Sequence, residues 1–177
     1  MKVGRKSILF GVHQFLIHPV TVFLAWVWLY RSLPNWREMV CIVMHDWGYF
    51  FMDCDNMDDE AGEKHPEWAA GVAYRWLGGR YYRLCLFHSR HYARTAGVEP
   101  SKLCWADKAS VLFEKWWTYL PRALLSGELM EYRWNAHIAG LIHWNHSNRE
   151  WFEWIQEKFQ KLAQEQRGDA VPYMSCV

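Results

Sequence analysis

Residues 35 to 46 read Asn35-Trp36-Arg37-Glu38-Met39-Val40-Cys41-Ile42-Val43-Met44-His45-Asp46, an apolar stretch with a histidine and an aspartate at its far end. Asn35 followed three residues on by Glu38 is a capping-box pattern, so a helix opens there. It runs through Val40, Cys41, Val43 and Met44 into His45 and Asp46, and Gly48 ends it. An unpaired carboxylate is costly to bury at the end of so apolar a segment, and a cation would neutralise it. Adjacent His and Asp side chains can both reach one such ion.

Outward from this helix, apolar residues recur at helical spacing along most of the chain and strand-type alternation is scarce, which predicts an all-α domain. Val20 to Tyr30 reads as the preceding helix, closed by Ser32, Leu33 and Pro34. Asp53 to Glu63 is an acidic, solvated loop that lacks the ligand register of a calcium-binding EF-hand. Helical patterns follow from Pro66 to Trp76, where Gly78-Gly79 breaks the run, from Arg80 to about Thr95, and from Ser101 to Tyr119. Beyond Pro121 come Glu128 to His143 and a last helix opened by the capping-box pair Ser147 and Glu150. In the Arg80 to Thr95 pattern, Leu84, His88, His91 and Thr95 share one strip, and Arg83, Phe87, Arg90 and Arg94 the next.

With 177 residues, one domain can bury a core without disulfides. Residues 1–167 are expected to form it, around a core at 13–120 with added helices at 126–166 and a flexible tail at 168–177. The formal charge of +1 gives no global reason to expect a nucleic-acid polymer as partner. Five scattered cysteines, without a Cys-x-x-Cys pair, fit reduced thiols and a cytoplasmic location. The apolar segment Ile8 to Tyr30 comes near the length of a membrane span, but His13, Gln14, His18 and Pro19 fall in its middle, which argues against one. Aromatic residues make 18% of the chain; they serve a core first, and some are candidates to line a pocket for a flat ligand such as a nucleobase.

His18, His65, His88 and Asp107 each lie in apolar sequence on successive helical segments flanking His45-Asp46. The order H…HD…H…H…D resembles the HD-domain superfamily of metal-dependent phosphohydrolases. The local strings resemble it too: His18-Pro19-Val20-Thr21-Val22, Val43-Met44-His45-Asp46-Trp47-Gly48-Tyr49 and Trp105-Ala106-Asp107-Lys108-Ala109. His65-Pro66-Glu67-Trp68-Ala69-Ala70 and Phe87-His88-Ser89-Arg90-His91 resemble the extra histidine segments of members that hold two metals. The chain departs from the phosphodiesterase branch, which places a Lys shortly after the HD pair where this chain has Gly48, Tyr49 and Phe50. His13 is the alternative first ligand on spacing, His18 on its His-Pro-x-x-Val context.

The resemblance implies a single HD-domain helical bundle around a metal centre of His18, His45, Asp46, His65, His88 and Asp107. Asp46 is the expected bridge between two divalent ions, and imidazole ligands suit Mn, Fe, Ni, Co or Zn. Lys108 and His91 are candidate catalytic groups, Lys108 on phosphate and His91 as a further ligand or general acid. Arg83, Arg90 and Arg94 are candidates to bind the substrate's phosphate. The expected reaction is hydrolysis of a small phosphoester, a nucleotide or similar compound, with no membrane partner and with a homo-oligomer left open. Two alternatives share these residues: a mixed-valent di-iron oxygenase cleaving C–C or C–P bonds, and a non-catalytic binding module stabilised by metal. His137, His143 and His146 fall outside the pattern and read as structural or surface residues.

Overall fold

A computed structural model describes residues 2–52, 54–57 and 59–167, and every regular element among them is helical. The helices are α1 (Val3–Phe10), α2 (His18–Tyr30), α3 (Trp36–Met44), α4 (Glu60–Glu63), α5 (Pro66–Leu77), α6 (Gly79–Leu86), α7 (Arg90–Thr95), α8 (Lys102–Ala109), α9 (Trp116–Ser126), α10 (Glu128–Ile138) and α11 (Asn148–Arg167). Short 3-10 turns at Trp47–Phe50 and Ser110–Phe113 extend α3 and α8. The expected tail at 168–177 lies outside the described residues, as do Asp53 and Asp58 of the acidic loop. No described helix is long and apolar enough to cross a membrane; the segment Ile8 to Tyr30 is divided by the turn between α1 and α2.

Both expected capping boxes form. Asn35 accepts from the amide of Glu38 while Glu38 accepts from that of Asn35 at 2.8 Å, and Ser147 and Glu150 exchange the same pair of bonds. Two long helical patterns are divided by local chemistry that periodicity does not reveal. The run from Arg80 ends at Leu86, and Ser89, extended and accepting from the amide of His91, starts α7 afresh. The run from Ser101 ends at Phe113, where Glu114 turns extended and pairs with Arg122 at 2.7 Å. α9 then runs through Pro121. The ring removes one backbone donor from the turn, and the next side chain, Arg122, donates Nε to the carbonyl of Thr118 at 3.0 Å. α10 stops at Ile138 rather than His143, since Gly140 takes a left-handed conformation.

The main core joins Val22, Ala25 and Trp26 of α2, Cys41 and Ile42 of α3, Ala69, Ala70 and Ala73 of α5, Cys85 of α6, and Leu103 and Ala106 of α8. The alanines let α5 lie close along α6, and α8 packs on α2. A second cluster, Tyr119, Ala123, Leu129, Trp151 and Phe152, seats α9, α10 and α11 together. α1 packs on α9 and on the Trp47–Phe50 turn. The ends of α2, α3, α5 and α6 and the inner face of α8 thereby meet around one point. Cys41, Cys54, Cys85 and Cys104 are buried free thiols; Cys176 lies outside the described residues.

Candidate metal centre

His18 is the first residue of α2, His45 and Asp46 directly follow α3, and His65 directly precedes α5. His88 lies in the break between α6 and α7, and Asp107 is on α8. Three of the histidines are oriented by one device. The Nδ1 of His45, His65 and His88 each meets a backbone carbonyl three residues earlier, of Ile42, Gly62 and Cys85, at the end of α3, α4 and α6. A carbonyl only accepts, so in its neutral form each ring carries its hydrogen on Nδ1 and leaves Nε2 as the lone pair. That is the tautomer a metal ligand requires.

These lone pairs converge on Asp46. One group comprises His18, His45, Asp46 and Asp107, the other Asp46, His65 and His88, and within each the ligand atoms lie inside 4.8 Å of one another. Asp46 Oδ2 faces the Nε2 of His18 at 3.3 Å and of His45 at 3.2 Å. Its Oδ1 faces the Nε2 of His65 at 3.6 Å and of His88 at 3.5 Å. Asp107 Oδ1 lies 3.1 Å from His18 Nε2 and 3.9 Å from His45 Nε2. Each oxygen of Asp46 thus faces a different group.

The residues fit a metal. His18 Nε2, His45 Nε2 and Asp46 Oδ2 are buried and make no hydrogen bond despite their proximity. Buried polar atoms are nearly always satisfied, so three unpartnered atoms converging on one point fit a cation between them. Mixed imidazole and carboxylate donors suit a divalent transition ion.

Without such an ion, protons take its place unevenly. Burial lowers the pKa of His45, but the charges of Asp46 and Asp107 outweigh it and raise the value to about 10. Asp46 and Asp107 are held well below the usual carboxylate range: burial opposes this, His45 acts most strongly on Asp46, and Lys108 on Asp107. His65 goes the other way, pushed down to about 3 by burial and by the neighbouring His88.

A cavity of about 720 Å³ opens onto this cluster, with His18, Asp46, His65, His88 and Asp107 in its wall. Arg90, His91, Arg94 and Lys108 line it as well. Lys108 Nζ stands 3.2 Å from Asp107 Oδ2, and the Asp107 charge raises its pKa. Arg83 does not line the cavity. It is exposed, with its guanidinium over the ring of Phe87, because the break at 87–89 separates it from the turn that carries Arg90 and Arg94. The same break removes His91 from the strip of His88.

His13 is in neither ligand group; its Nδ1 is engaged by Ser7 and Glu128. Lys158 of α11, Glu63 and Glu128 went unsuspected in the sequence. Lys158 and Glu63 line the cavity, and burial and the charge of Arg90 both lower the pKa of Lys158. Solvated Lys and Glu on an amphipathic helix carry no signal that distinguishes these. Tyr119, Tyr132, Trp151, Trp154 and Phe159 form an aromatic side of the cavity. His137, His143 and His146 border a separate surface hollow.

Comparison with known proteins finds no similarity: no family model matches the chain, and neither does any curated protein or solved structure.

Proposed function

We propose that the protein is a metal-dependent phosphohydrolase of the HD type, acting on a small phosphoester such as a nucleotide. The observation that carries this reading is the placement of two ligand groups sharing Asp46 in the wall of a cavity that also holds Arg90, Arg94, Lys108 and Lys158. A structural metal site is closed by protein ligands, whereas a catalytic one keeps an open side. Here the cavity beside the ligand groups is also lined by cations, which suit an anionic substrate.

Bound ions would supply an activated water near neutral pH and neutralise phosphate charge. His18, His45, Asp46 and Asp107 would hold one, and Asp46, His65 and His88 the other. Lys108 would meet a phosphate oxygen on the α8 side while Arg90, Arg94 and Lys158 oriented the rest of the anion. The aromatic side offers area for a flat group such as a base.

The test is elemental analysis of protein purified without added metal, run beside a phosphate- or nucleoside-release assay with a nucleotide panel and Mn²⁺. About two equivalents of metal with turnover supports the reading. Two irons with O₂ uptake and no phosphate release would replace it by the oxygenase, and metal without any reaction by the binding module.

A further inference from the structure

Beside the ligand cluster, and sharing no residue with it, lies a second constellation built from two segments more than 100 residues apart. Glu128, the first residue of α10, is fully buried. Its carboxylate accepts from Ser7 Oγ at 2.7 Å, Ser126 Oγ at 2.5 Å, the Val12 amide at 2.9 Å and Tyr132 Oη at 3.1 Å. His13 Nδ1 completes the set, 2.9 Å from Oε1. The backbone at Gly11 is drawn in so closely that a Cβ there would meet Glu128 Oε2 at 2.5 Å. A buried carboxylate receiving so many donors is acceptor-only, so the hydrogen between it and His13 belongs to Nδ1.

The ring of His13 is thereby fixed with its other edge turned away from Glu128. His13 lines the cavity, with its ring 5.2 Å from that of His18 and 5.6 Å from that of Tyr49, centroid to centroid. A histidine whose Nδ1–H is held by a buried carboxylate, and whose ring lines a cavity beside the ligand cluster, is arranged to exchange a proton there through its other nitrogen. A purely structural histidine needs no cavity, and a metal ligand would belong to one of the two groups.

We propose that His13 is a catalytic residue of this cavity and Glu128 the positioning residue that holds it. The inference rests on the phosphohydrolase reading. As the bond from phosphorus to the leaving oxygen breaks, His13 Nε2 gives that oxygen a proton, while the proton of the attacking water passes to solvent. The ring then takes a proton back from solvent, and Glu128, holding Nδ1–H, stabilises the charged ring without changing its own protonation.

Two measurements test this. In metal-free protein labelled with ¹⁵N, His13 should show the Nδ1–H tautomer, and an Nε2–H tautomer overturns the proposal without reference to activity. In metal-loaded protein, His13→Gln should keep the metal content and KM of the parent and lose about 100-fold in kcat. The loss should be greater for an alkyl phosphoester, whose leaving oxygen needs the proton, than for p-nitrophenyl phosphate, which does not. Glu128→Gln should show the same pattern more weakly; should it fail to fold, the tautomer and His13→Gln still decide. Unchanged kcat in His13→Gln overturns the role of His13 alone. No turnover by the metal-loaded parent overturns the phosphohydrolase reading, and this role with it.

Discussion

His65 and His88 point their Nε2 atoms at one another across 3.0 Å, each with its Nδ1 already committed to a backbone carbonyl. Two facing lone pairs repel unless a proton or a cation lies with them, and burial disfavours the proton on His65. This pair and the His18–Asp107 side belong to the two candidate ligand groups, and Asp46 belongs to both, so each group is a candidate half-site.

Metal stoichiometry should therefore respond to substitutions by half-site. His65→Ala and His18→Ala should each retain about one equivalent, while Asp46→Ala, which removes the shared carboxylate, should retain almost none. Elemental analysis of the three variants, each with a normal helical circular-dichroism spectrum, checks this. One full equivalent in Asp46→Ala would refute the bridge.

Proton release on metal binding should differ between the half-sites. A ligand imidazole must be neutral. His45, with a value near 10, is protonated at pH 7 in the metal-free protein, whereas His65, near 3, is already neutral. Titration calorimetry in buffers of different ionisation heat should find about one proton released per metal in His65→Ala, where only the His45 side remains.

The metal-free protein should be most stable near the ordinary imidazole pKa of about 6.5. The folded value of His65 is depressed to about 3, so the unfolded chain takes up a proton that the folded one refuses, and stability falls as pH drops from 6.5 toward 3. The folded value of His45 is raised to about 10, so its contribution is complete below 6.5 and lost as pH rises toward 10. His65→Gln should flatten the acid side of a plot of Tm against pH between 4 and 6.5, above the range in which Asp46 and Asp107 titrate.

Gly48→Ala should disturb His65 although residue 48 binds nothing. A Cβ at Gly48 would lie 2.0 Å from the carbonyl oxygen of His65. The chain must move, at a cost of about 1–3 kcal/mol, and His65 moves with it. A lowered Tm with loss of the second metal equivalent before the first is the expected result.

Lys158→Ala should weaken binding of inorganic phosphate to the metal-loaded protein roughly tenfold, the worth of one charge-assisted contact. Arg83→Ala should leave it unchanged, since Arg83 lies off the cavity. Phosphate affinity measured by calorimetry separates the two.

Much of this cluster was legible in the sequence because residue types able to hold a metal stand out in apolar surroundings. His45-Asp46 at the end of a capped helix, and the ordered His and Asp partners, led to all the residues of the two groups. The helix boundaries were less legible. Ser89 caps a new helix after α6 has ended, and Glu114 turns extended and pairs with Arg122, neither of which periodicity contains, so Arg83 seemed to share a face with Arg90. Glu128 was invisible for a related reason: its role comes from contacts with Ser7 and His13, more than 100 residues away in the chain.

The carbonyls that orient His45, His65 and His88 belong to the final turns of α3, α4 and α6. Each of these helix ends can fray by itself when nothing connects the rings. An ion grasping the rings would make three independent opening events into one, since no turn can loosen without pulling a ligand away. Amide hydrogens around residues 45, 65 and 88 should then exchange at separate rates in metal-free protein and at a common, slower rate once metal is bound. The centre would act as a clasp on the fold as well as a place for chemistry.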